Sequence, residues 1–335
     1  MPTLCITGVA GLIGSRFCEY MLHRPDIEII GIDNFTGGMK ENLPRSKQFI
    51  FIEADLSTKE GQKKISDSIQ SQSIDYIFHF AATAWEGLSP FMRLTNYNNN
   101  LLATAFMINI GITKSVKRFV FTSSMAVYGC ADPPFDESLV PHPIDPYGIA
   151  KFACEMDIQV AQQQHGMEFC IIRPHNVYGK NQNIFDPYRN VLGRWMYQAL
   201  TNTPFTVYGD GNQTRAFSYI DDCLPCLWKA AVDDRAKNQI INLGGTREIC
   251  LNKAANILCQ VTQTPHAPIY LEARHEVKHA WSTYQKSIDL LDYKETVDLR
   301  EGLQRMWTDV KGIHLQPLKF YNDYEVSKGI YSFWK

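Results

Sequence analysis

The chain has 335 residues, and 45% of them are hydrophobic, which is enough for a large core in one or two domains. Its 33 basic and 35 acidic residues leave a formal net charge of −2, so no basic surplus is available for a nucleic-acid backbone or an anionic membrane surface. The sequence shows no signal-peptide pattern and no uninterrupted apolar stretch of about 18 residues, so we expect a soluble, cytoplasmic protein with no nucleic-acid or membrane partner.

Short apolar segments predict β-strands, in chain order "TLCITG", "EIIGID", "FIFIEAD", "DYIFHFAA", "RFVFTSS", "FCIIRP" and "QIINLGG". Most are almost continuously apolar, as is typical of parallel strands covered on both faces. Segments with helical periodicity lie between them, among them "GLIGSRFCEYMLHR" and "GIAKFACEMDIQVAQQQHG". The alternation predicts an α/β fold with a Rossmann-type, doubly wound parallel sheet.

The regular alternation weakens after about Arg173, where Pro and Gly interrupt the pattern. We therefore expect residues 1–172, together with about 218–245, to form the domain that contains the sheet. Residues 173–217 and 246–335 are expected to form a smaller, irregular C-terminal substrate domain. The aromatic tail "LQPLKFYNDYEVSKGIYSFWK" has no helical period and is predicted to pack along the surface without forming an element of its own.

Three glycines stand at the junction of the first predicted strand and the first predicted helix. Gly8 would form a tight turn, Gly11 would let the backbone approach a pyrophosphate, and Gly14 would let the helix pack closely on the strand. The N–H groups at the start of the helix would then receive the phosphates. The spacing is GxxGxxG, one residue longer in its first half than the usual dinucleotide fingerprint.

Acidic residues end the next two predicted strands. Asp33, nineteen residues after Gly14, stands where a carboxylate accepts hydrogen bonds from an adenosine ribose. No arginine follows it to receive a 2′-phosphate, which favours NAD over NADP. Asp55 ends the third strand, where it would contact the adenine or, equally well, cap the helix that follows.

The candidate catalytic residues lie in "FTSSMAVYG" and "PYGIAK". Tyr147 and Lys151 are four residues apart, so on a helix they share one face. The ammonium would favour the phenolate and lower the pKa of Tyr147, making it a general base. Ser124 would hydrogen-bond the substrate oxygen that is oxidised.

In this order and combination, the motifs resemble those of the extended short-chain dehydrogenase/reductases, specifically the nucleotide-sugar epimerase/dehydratase family and its 4-epimerase members. The resemblance runs from the first strand to about Trp307. It implies that Asn100 of "NNLLAT" is structural or close to the substrate, with Ala103 replacing the family's glycine. It implies an NAD site formed by Gly8, Gly11, Leu12, Ile13, Gly14, Asp33, Asn34, Asp55, Leu56, Phe80, Ala81, Ala82, Asn100, Tyr147, Lys151 and Pro174.

The same resemblance implies a nucleotide-sugar substrate, with uracil favoured by "TPFTVYG". Asn176 and Arg215 would contact the diphosphate. Arg274 would be the second phosphate ligand, although "LEARHEVKHAW" is one residue out of register with the family and Lys278 could take its place. The implied substrate residues are Thr83, Ser124, Met125, Tyr147, Asn176, Val207, Arg215 and Arg274.

The predicted reaction is epimerisation at C4 through a 4-keto intermediate. Dehydratases of the family carry an Asp-Glu pair directly after the catalytic Ser or Thr, and decarboxylases usually keep the glutamate, whereas this chain has Met125 and Ala126. Ser124, Tyr147 and Lys151 suffice for epimerisation. A 4-dehydrogenase that releases the keto sugar is the first alternative, and a non-catalytic NAD-binding regulatory protein is another.

Two further expectations concern assembly and metals. The helices containing "NNLLATAFMINIGI" and "YGIAKFACEMDIQVAQQ" carry more apolar surface than one sheet face needs, and family members commonly pair them, so we expect a homodimer. No His or Cys cluster has metal-ligand spacing, so no metal is expected. Cys223 and Cys226 form a single CxxC, which we interpret as core residues on a helix.

Overall fold

The computed structural model describes residues 1–321 and 323–334. The strands are β1 (Thr3–Thr7), β2 (Glu28–Asp33), β3 (Phe49–Glu53), β4 (Tyr76–His79), β5 (Arg118–Thr122), β6 (Phe169–His175), β7 (Val177–Tyr178), β8 (Thr206–Tyr208), β9 (Thr214–Ala216), β10 (Ser218–Tyr219), β11 (Gln239–Gly244), β12 (Glu248–Cys250), β13 (Ile269–Leu271) and β14 (His279–Ala280). The helices are α1 (Leu12–Leu22), α2 (Lys59–Ser68), α3 (Arg93–Tyr97), α4 (Ala103–Thr113), α5 (Pro146–His165), α6 (Val191–Leu200), α7 (Ile220–Val232), α8 (Leu251–Thr262), α9 (Gln285–Leu291) and α10 (Leu299–Val310). A π-helical segment, Asn98–Leu102, joins α3 to α4.

The main sheet has seven parallel strands in the order β11-β6-β5-β4-β1-β2-β3. Each segment predicted as a strand contributes one of them, so the predicted Rossmann-type fold is confirmed. The chain order reverses between β1 and β4, where the carboxyl ends of parallel strands open a crevice. Thr7 lies beside His79 at this edge, one residue before Gly8.

Alternate residues of the strands enter two cores, one on each face of the sheet. Leu4 and Ile6 of β1 pack in the core that includes α1 and α7. Cys5 and Ile30 pack in the core that includes α2, α4 and α5. Covering on both faces explains why these strands read as continuous apolar runs. Cys223 is buried on α7 in the first core, as is Cys226, in agreement with the sequence prediction.

A second unit lies over the carboxyl edge of the sheet. Its core contains Trp195, Phe205, Leu258 and Leu303, which are fully buried between α6, α8, α10 and short strands. In these strands β8 pairs with β13, and β9 pairs with β12 and β14. Strand β11 returns the chain to the main sheet beside β6. The domain limits given above remain a prediction.

The aromatic tail packs against the outer end of this crevice. Trp334 is 4% exposed and lies in a cluster with Trp85, Phe91 and Tyr188. The Glu325 carboxylate accepts hydrogen bonds from the first backbone N–H groups of α3. The tail therefore covers the surface as predicted, but the expectation that it forms no element is wrong, because Ser332–Trp334 makes a short 3-10 turn.

Across residues 1–321 and 323–334, no helix is both long and apolar enough to cross a membrane. In the same part of the chain, no group of three or more His, Cys, Asp or Glu side chains is arranged to hold a metal ion.

Candidate active site

A cavity of about 560 Å³ runs from the glycine turn, across the carboxyl ends of the central strands, to the second unit. Most of the residues predicted for cofactor and substrate line it together. They are Gly8, Gly11, Leu12, Ile13, Gly14, Asp33, Asn34, Asp55, Leu56, Phe80, Ala81, Ala82, Thr83, Ser124, Tyr147, Lys151, Pro174, Asn176, Arg215 and Arg274.

The glycine turn has the geometry of an anion site. Gly8 has φ +68°, and a Cβ there would lie 2.7 Å from the backbone nitrogen of Ala81. A Cβ on Gly14 would lie 2.1 Å from the carbonyl oxygen of Gly8, so only glycine lets α1 start this close to β1. Within the described chain, no side chain caps α1 and no acidic residue lies in its first turn. Its N–H groups and the positive end of its dipole therefore face the cavity, which fits a dinucleotide pyrophosphate.

Asp33 is fixed by the loops around it. Its Oδ2 accepts a hydrogen bond from Ala10 N at 2.9 Å, and its Oδ1 accepts one from Phe35 N at 2.8 Å. Burial raises the pKa of Asp33, and these backbone bonds partly oppose the rise. The carboxylate lines the cavity while these bonds hold it, so it is positioned for a ribose.

Asp55 faces the same end of the cavity. Its Oδ2 accepts a hydrogen bond from the Asn34 side chain at 2.9 Å. Burial alone would raise the pKa of Asp55, but hydrogen bonds from Ser57 and Asn34 lower it. The alternative role as helix cap belongs to Thr58, whose hydroxyl accepts from Gly61 N at 3.1 Å.

Ser124, Tyr147 and Lys151 meet at the centre of the cavity. Ser124 follows β5, its hydroxyl accepts a hydrogen bond from Ala126 N at 3.1 Å, and it lines the cavity together with Tyr147. Tyr147 is the second residue of α5, which Asp145 caps by accepting from Gly148 N at 2.9 Å. Lys151 lies one turn further along, where its Nζ donates to the carbonyl of Thr122 at 2.8 Å.

The electrostatics differ from the sequence expectation. Burial raises the pKa of Tyr147, and the Glu86 and Asp145 carboxylates raise it further, against a lowering by the Ser124 hydrogen bond. Burial also lowers the pKa of Lys151 to about 8. The predicted net lowering of the Tyr147 pKa is therefore wrong: the Lys151 ammonium lies 6.0 Å from the ring centroid, and burial has the larger effect.

The opposite end of the cavity carries the guanidinium groups of Arg215, Arg274 and Arg194, the last of which lies 5.7 Å from the centroid of the Tyr208 ring. Arg274 pairs with Glu276 at 2.8 Å, and Arg215 lies 3.6 Å from the same carboxylate. Arg274 also lies over the ring of Tyr208, 4.4 Å from its centroid. Lys278 does not line the cavity, and its carbonyl accepts from Arg215 Nη1 at 3.2 Å. The geometry thus favours Arg274 over Lys278 as the second phosphate ligand.

Four predicted residues need separate description. Asn100 lies below the cavity and bonds both backbone groups of Thr83, at 2.9 and 3.2 Å, so it shapes the loop instead of lining the site. Met125 packs in a small neighbouring cluster and Val207 is buried in β8, and neither lines the cavity. Asn176 lines it, but its amide donates to Ala216 O at 2.9 Å.

Sequence reasoning missed several cavity residues that come from distant segments. Glu86 and Asp145 place carboxylates near Tyr147, and Tyr331 reaches the cavity from the tail, where its hydroxyl accepts from His275 N at 2.8 Å. Arg189, paired with Asp186 at 2.9 Å, also lines it. The Asp-Pro that starts α5 carries an N-cap signal that would have located Asp145, whereas the sequence around the other three has no distinctive pattern.

Comparison with known proteins agrees with this geometry. Residues 4–244 match the NAD dependent epimerase/dehydratase family. A putative UDP-glucose 4-epimerase of Methanocaldococcus jannaschii is 30% identical over 90% of this chain and 96% of that protein. UDP-glucuronic acid decarboxylase 1 of Arabidopsis thaliana is 29% identical over 92% of this chain and 69% of that protein.

A solved structure has a similar fold. UDP-glucuronic acid 4-epimerase from Bacillus cereus, in complex with UDP-glucuronic acid and NAD, superposes with a TM-score of 0.84 at 28% identity, covering 92% of this chain and 99% of that one. That structure contains NAD, which the description of the matched family also names. The chain belongs to the NAD dependent epimerase/dehydratase family, and its cofactor is NAD.

Proposed function

We propose that this protein epimerises a UDP-linked sugar at C4 through a transient 4-keto intermediate. The observation that carries the proposal is a single cavity in which Ser124 and Tyr147 face the same space as Arg215 and Arg274. A proton-accepting centre and two guanidinium groups within one cavity suit a sugar joined to a diphosphate. The UDP-sugars named for the two epimerases above support the uridine.

In this mechanism, Tyr147 removes the proton from the C4 hydroxyl while Ser124 hydrogen-bonds the same oxygen. NAD, when bound, accepts the C4 hydride and later returns it. The C4–H bond breaks, a C4 carbonyl forms, and the sugar turns in the cavity. After hydride returns to the opposite face, Tyr147 gives the proton back to the C4 oxygen, so the cycle has no net redox change.

Lys151 acts on this proton transfer through its charge. Burial raises the pKa of Tyr147, so its phenolate requires a nearby positive charge. The Lys151 ammonium is held 6.0 Å from the tyrosine ring centroid by its bond to Thr122 O. It lies on the same helix face as Tyr147, as the four-residue spacing predicts.

The two arginines would retain the nucleotide while the sugar turns. Both pair with Glu276, which holds their guanidinium groups at one end of the cavity. A bidentate contact to a diphosphate is a strong, directional interaction. We propose that this anchoring keeps the 4-keto sugar from leaving before the hydride returns.

Water elimination and decarboxylation are disfavoured by the residues after Ser124. Met125 and Ala126 stand where other reactions of this family place an acidic side chain, and Ala126 is buried with its N–H donated to Ser124 Oγ at 3.1 Å. Neither side chain can transfer a proton.

Incubation with nucleotide sugars and no added cofactor tests the proposal. The purified protein is given UDP-glucose, UDP-N-acetylglucosamine, UDP-glucuronate or GDP-sugars, and C4 stereochemistry and reduced-nicotinamide absorbance are followed. A C4 epimer without lasting NADH supports epimerisation. A stoichiometric NADH rise that stalls indicates a 4-dehydrogenase. Tyr147→Phe should remove most turnover, whereas a regulatory protein would keep its function.

We also propose a homodimer formed through α4 and α5. Large apolar side chains are exposed on α5 and at the end of the π-helical segment that leads into α4, with Met156 at 54%, Val160 at 51% and Leu102 at 53%. An exposed apolar patch of this kind is typical of an interface. Light scattering at micromolar concentration that gives a monomer mass would reject it.

All nine cysteines are free thiols, which fits a reducing, cytoplasmic compartment.

A further inference from the structure

Glu86 is a carboxylate inside the substrate cavity to which the proposed mechanism gives no role. Its side chain is open to the cavity, while the flanking Trp85 and Leu88 are buried. Trp85 is held by a 2.9 Å hydrogen bond from its Nε1 to Asp186. The loop is therefore anchored on both sides of Glu86, and its carboxylate is left facing the space that Tyr147 also faces.

The backbone of Glu86 is tied to the catalytic helix. The Ser89 hydroxyl donates to the carbonyl of Glu86 at 2.8 Å, and the Ser89 hydroxyl oxygen in turn accepts from Tyr147 N at 3.2 Å. On the other side, a Cβ on Gly87 would lie 3.3 Å from Arg274 Nη1. Glu86 thus lies between the proton-transfer centre and the phosphate-binding end, which is where the sugar of a nucleotide sugar would lie.

The charges around Glu86 are mixed. Asp145 at the start of α5 and Glu276 repel it, whereas Arg215 and Arg274 attract it. His275 faces Asp145. When a diphosphate occupies the two arginines, its negative charge balances theirs, so the carboxylates of Glu86 and Asp145 dominate the sugar region.

We propose that Glu86 is a specificity-determining residue that makes this cavity prefer nucleotide sugars without charge on the sugar ring over those with a sugar carboxylate. The inference rests on the proposed function, because it assumes that a nucleotide sugar binds here. A neutral sugar offers hydroxyl groups that donate to a carboxylate, whereas a uronate would place a second negative charge beside it. Burial within the cavity and the Asp145 carboxylate raise the pKa of Glu86 to about 7, so the preference grows as pH rises through this range.

The experiment that tests this inference measures the binding of nucleotide sugars and not their turnover. Titration calorimetry gives Kd for UDP-glucose and for UDP-glucuronate at pH 6, 7.5 and 8.5, with full-length NAD-loaded protein carrying Tyr147→Phe so that no sugar is consumed. The comparison protein adds Glu86→Gln, which keeps the shape and removes the charge. The control adds Glu60→Gln, an exposed change on α2.

The Kd ratio of UDP-glucuronate to UDP-glucose should rise about tenfold from pH 6 to pH 8.5 in the protein with Glu86 and in the Glu60 control. A like charge about 10 Å away at an effective dielectric of about 20 has an effect of this size. With Glu86→Gln the ratio should stay at its low-pH value throughout. A pH dependence that survives Glu86→Gln assigns the effect to Asp145 or His275 and overturns the proposal.

Three further results of these experiments would also support or contradict the inference. UDP-glucuronate that binds as tightly as UDP-glucose at pH 8.5 overturns the inference. If Glu86→Gln fails to fold, Glu86→Ala takes its place, and a tenfold rise that survives Glu86→Ala overturns the inference, whereas its loss supports it. If the unmutated protein epimerises none of the sugars while the Kd ratios behave as expected, the proposed function fails and the role of Glu86 stands.

Discussion

The buried ion pair between Glu155 and Arg173 makes a sharp prediction about stability. Glu155 is fully buried and Arg173 is 2% exposed. Arg173 binds the carboxylate twice, through Nε at 2.9 Å and Nη2 at 2.6 Å, and its Nη1 donates to the Tyr128 hydroxyl at 2.8 Å. Ser123 also donates to Glu155. The network ties α5, which carries Tyr147, to the ends of β5 and β6.

Glu155→Gln removes the charge with almost no change in volume, so a guanidinium is left buried without its counter-ion. Breaking a buried pair in this way costs about 3–5 kcal/mol. At about 2.1 cal/mol/K of unfolding entropy per residue, a chain of this length shifts its melting midpoint by roughly 1.4 °C per kcal/mol. We therefore expect calorimetry to show a midpoint roughly 4–7 °C lower.

The matched control is Glu301→Gln. Glu301 pairs with Arg305 across one turn of α10, and both side chains are nearly half exposed. Such surface pairs contribute at most about 1 kcal/mol, so the control should move the midpoint by roughly 1 °C or less. Equal midpoints for the two variants would refute the reasoning, because burial would then not distinguish the pairs.

Three further predictions test the site, the buried histidine and the assembly. Gly14→Ala should lower the NAD content of the purified protein, measured by absorbance after extraction, because its Cβ would lie 2.1 Å from Gly8 O; normal NAD content would contradict the described turn. Burial lowers the pKa of His79 to about 3, so the folded protein binds fewer protons there than the unfolded chain, and stability should fall from pH 6.5 towards pH 3 by about 1.4 kcal/mol per unit. In His79→Gln, the free energy of unfolding measured with urea should depend less steeply on pH. An unchanged dependence on pH would contradict the assignment of this effect to His79. Met156→Glu should convert the proposed dimer to monomer in light scattering, and a persisting dimer would place the interface elsewhere.

The parts of the fold that local pattern determines were predictable from sequence. Each strand of the main sheet was visible as an apolar run, and Gly8, Asp33 and Tyr147 line one cavity because each stands at a fixed distance from an element end. Spacing along one strand or helix directly limits where a side chain points. The prediction succeeded where one element determines the position.

Residues whose role depends on packing between elements were harder to place. Asn100 was expected to be structural, close to the substrate or at the cofactor; it bonds the backbone of Thr83 from below, and a motif match does not show which side of the loop its amide faces. The pKa of Tyr147 was expected to fall because Lys151 is four residues away. Burial reverses the direction, and burial is a property of the whole fold.

The residues for proton transfer in this cavity are positioned by single elements, whereas the residues for sugar specificity are positioned by packing between elements. The proton-transfer residues come from β5 and α5, so their spacing is fixed by secondary structure and is readable in the sequence. The residues that surround the sugar region come from a loop at Glu86, a helix start at Asp145 and a tail at Tyr331, and only tertiary packing brings them together. Loops also change more easily than strands without loss of the core. A shared catalytic centre can therefore accept different sugars in different relatives. In this chain, we expect the charge of Glu86 to determine which sugars the cavity accepts.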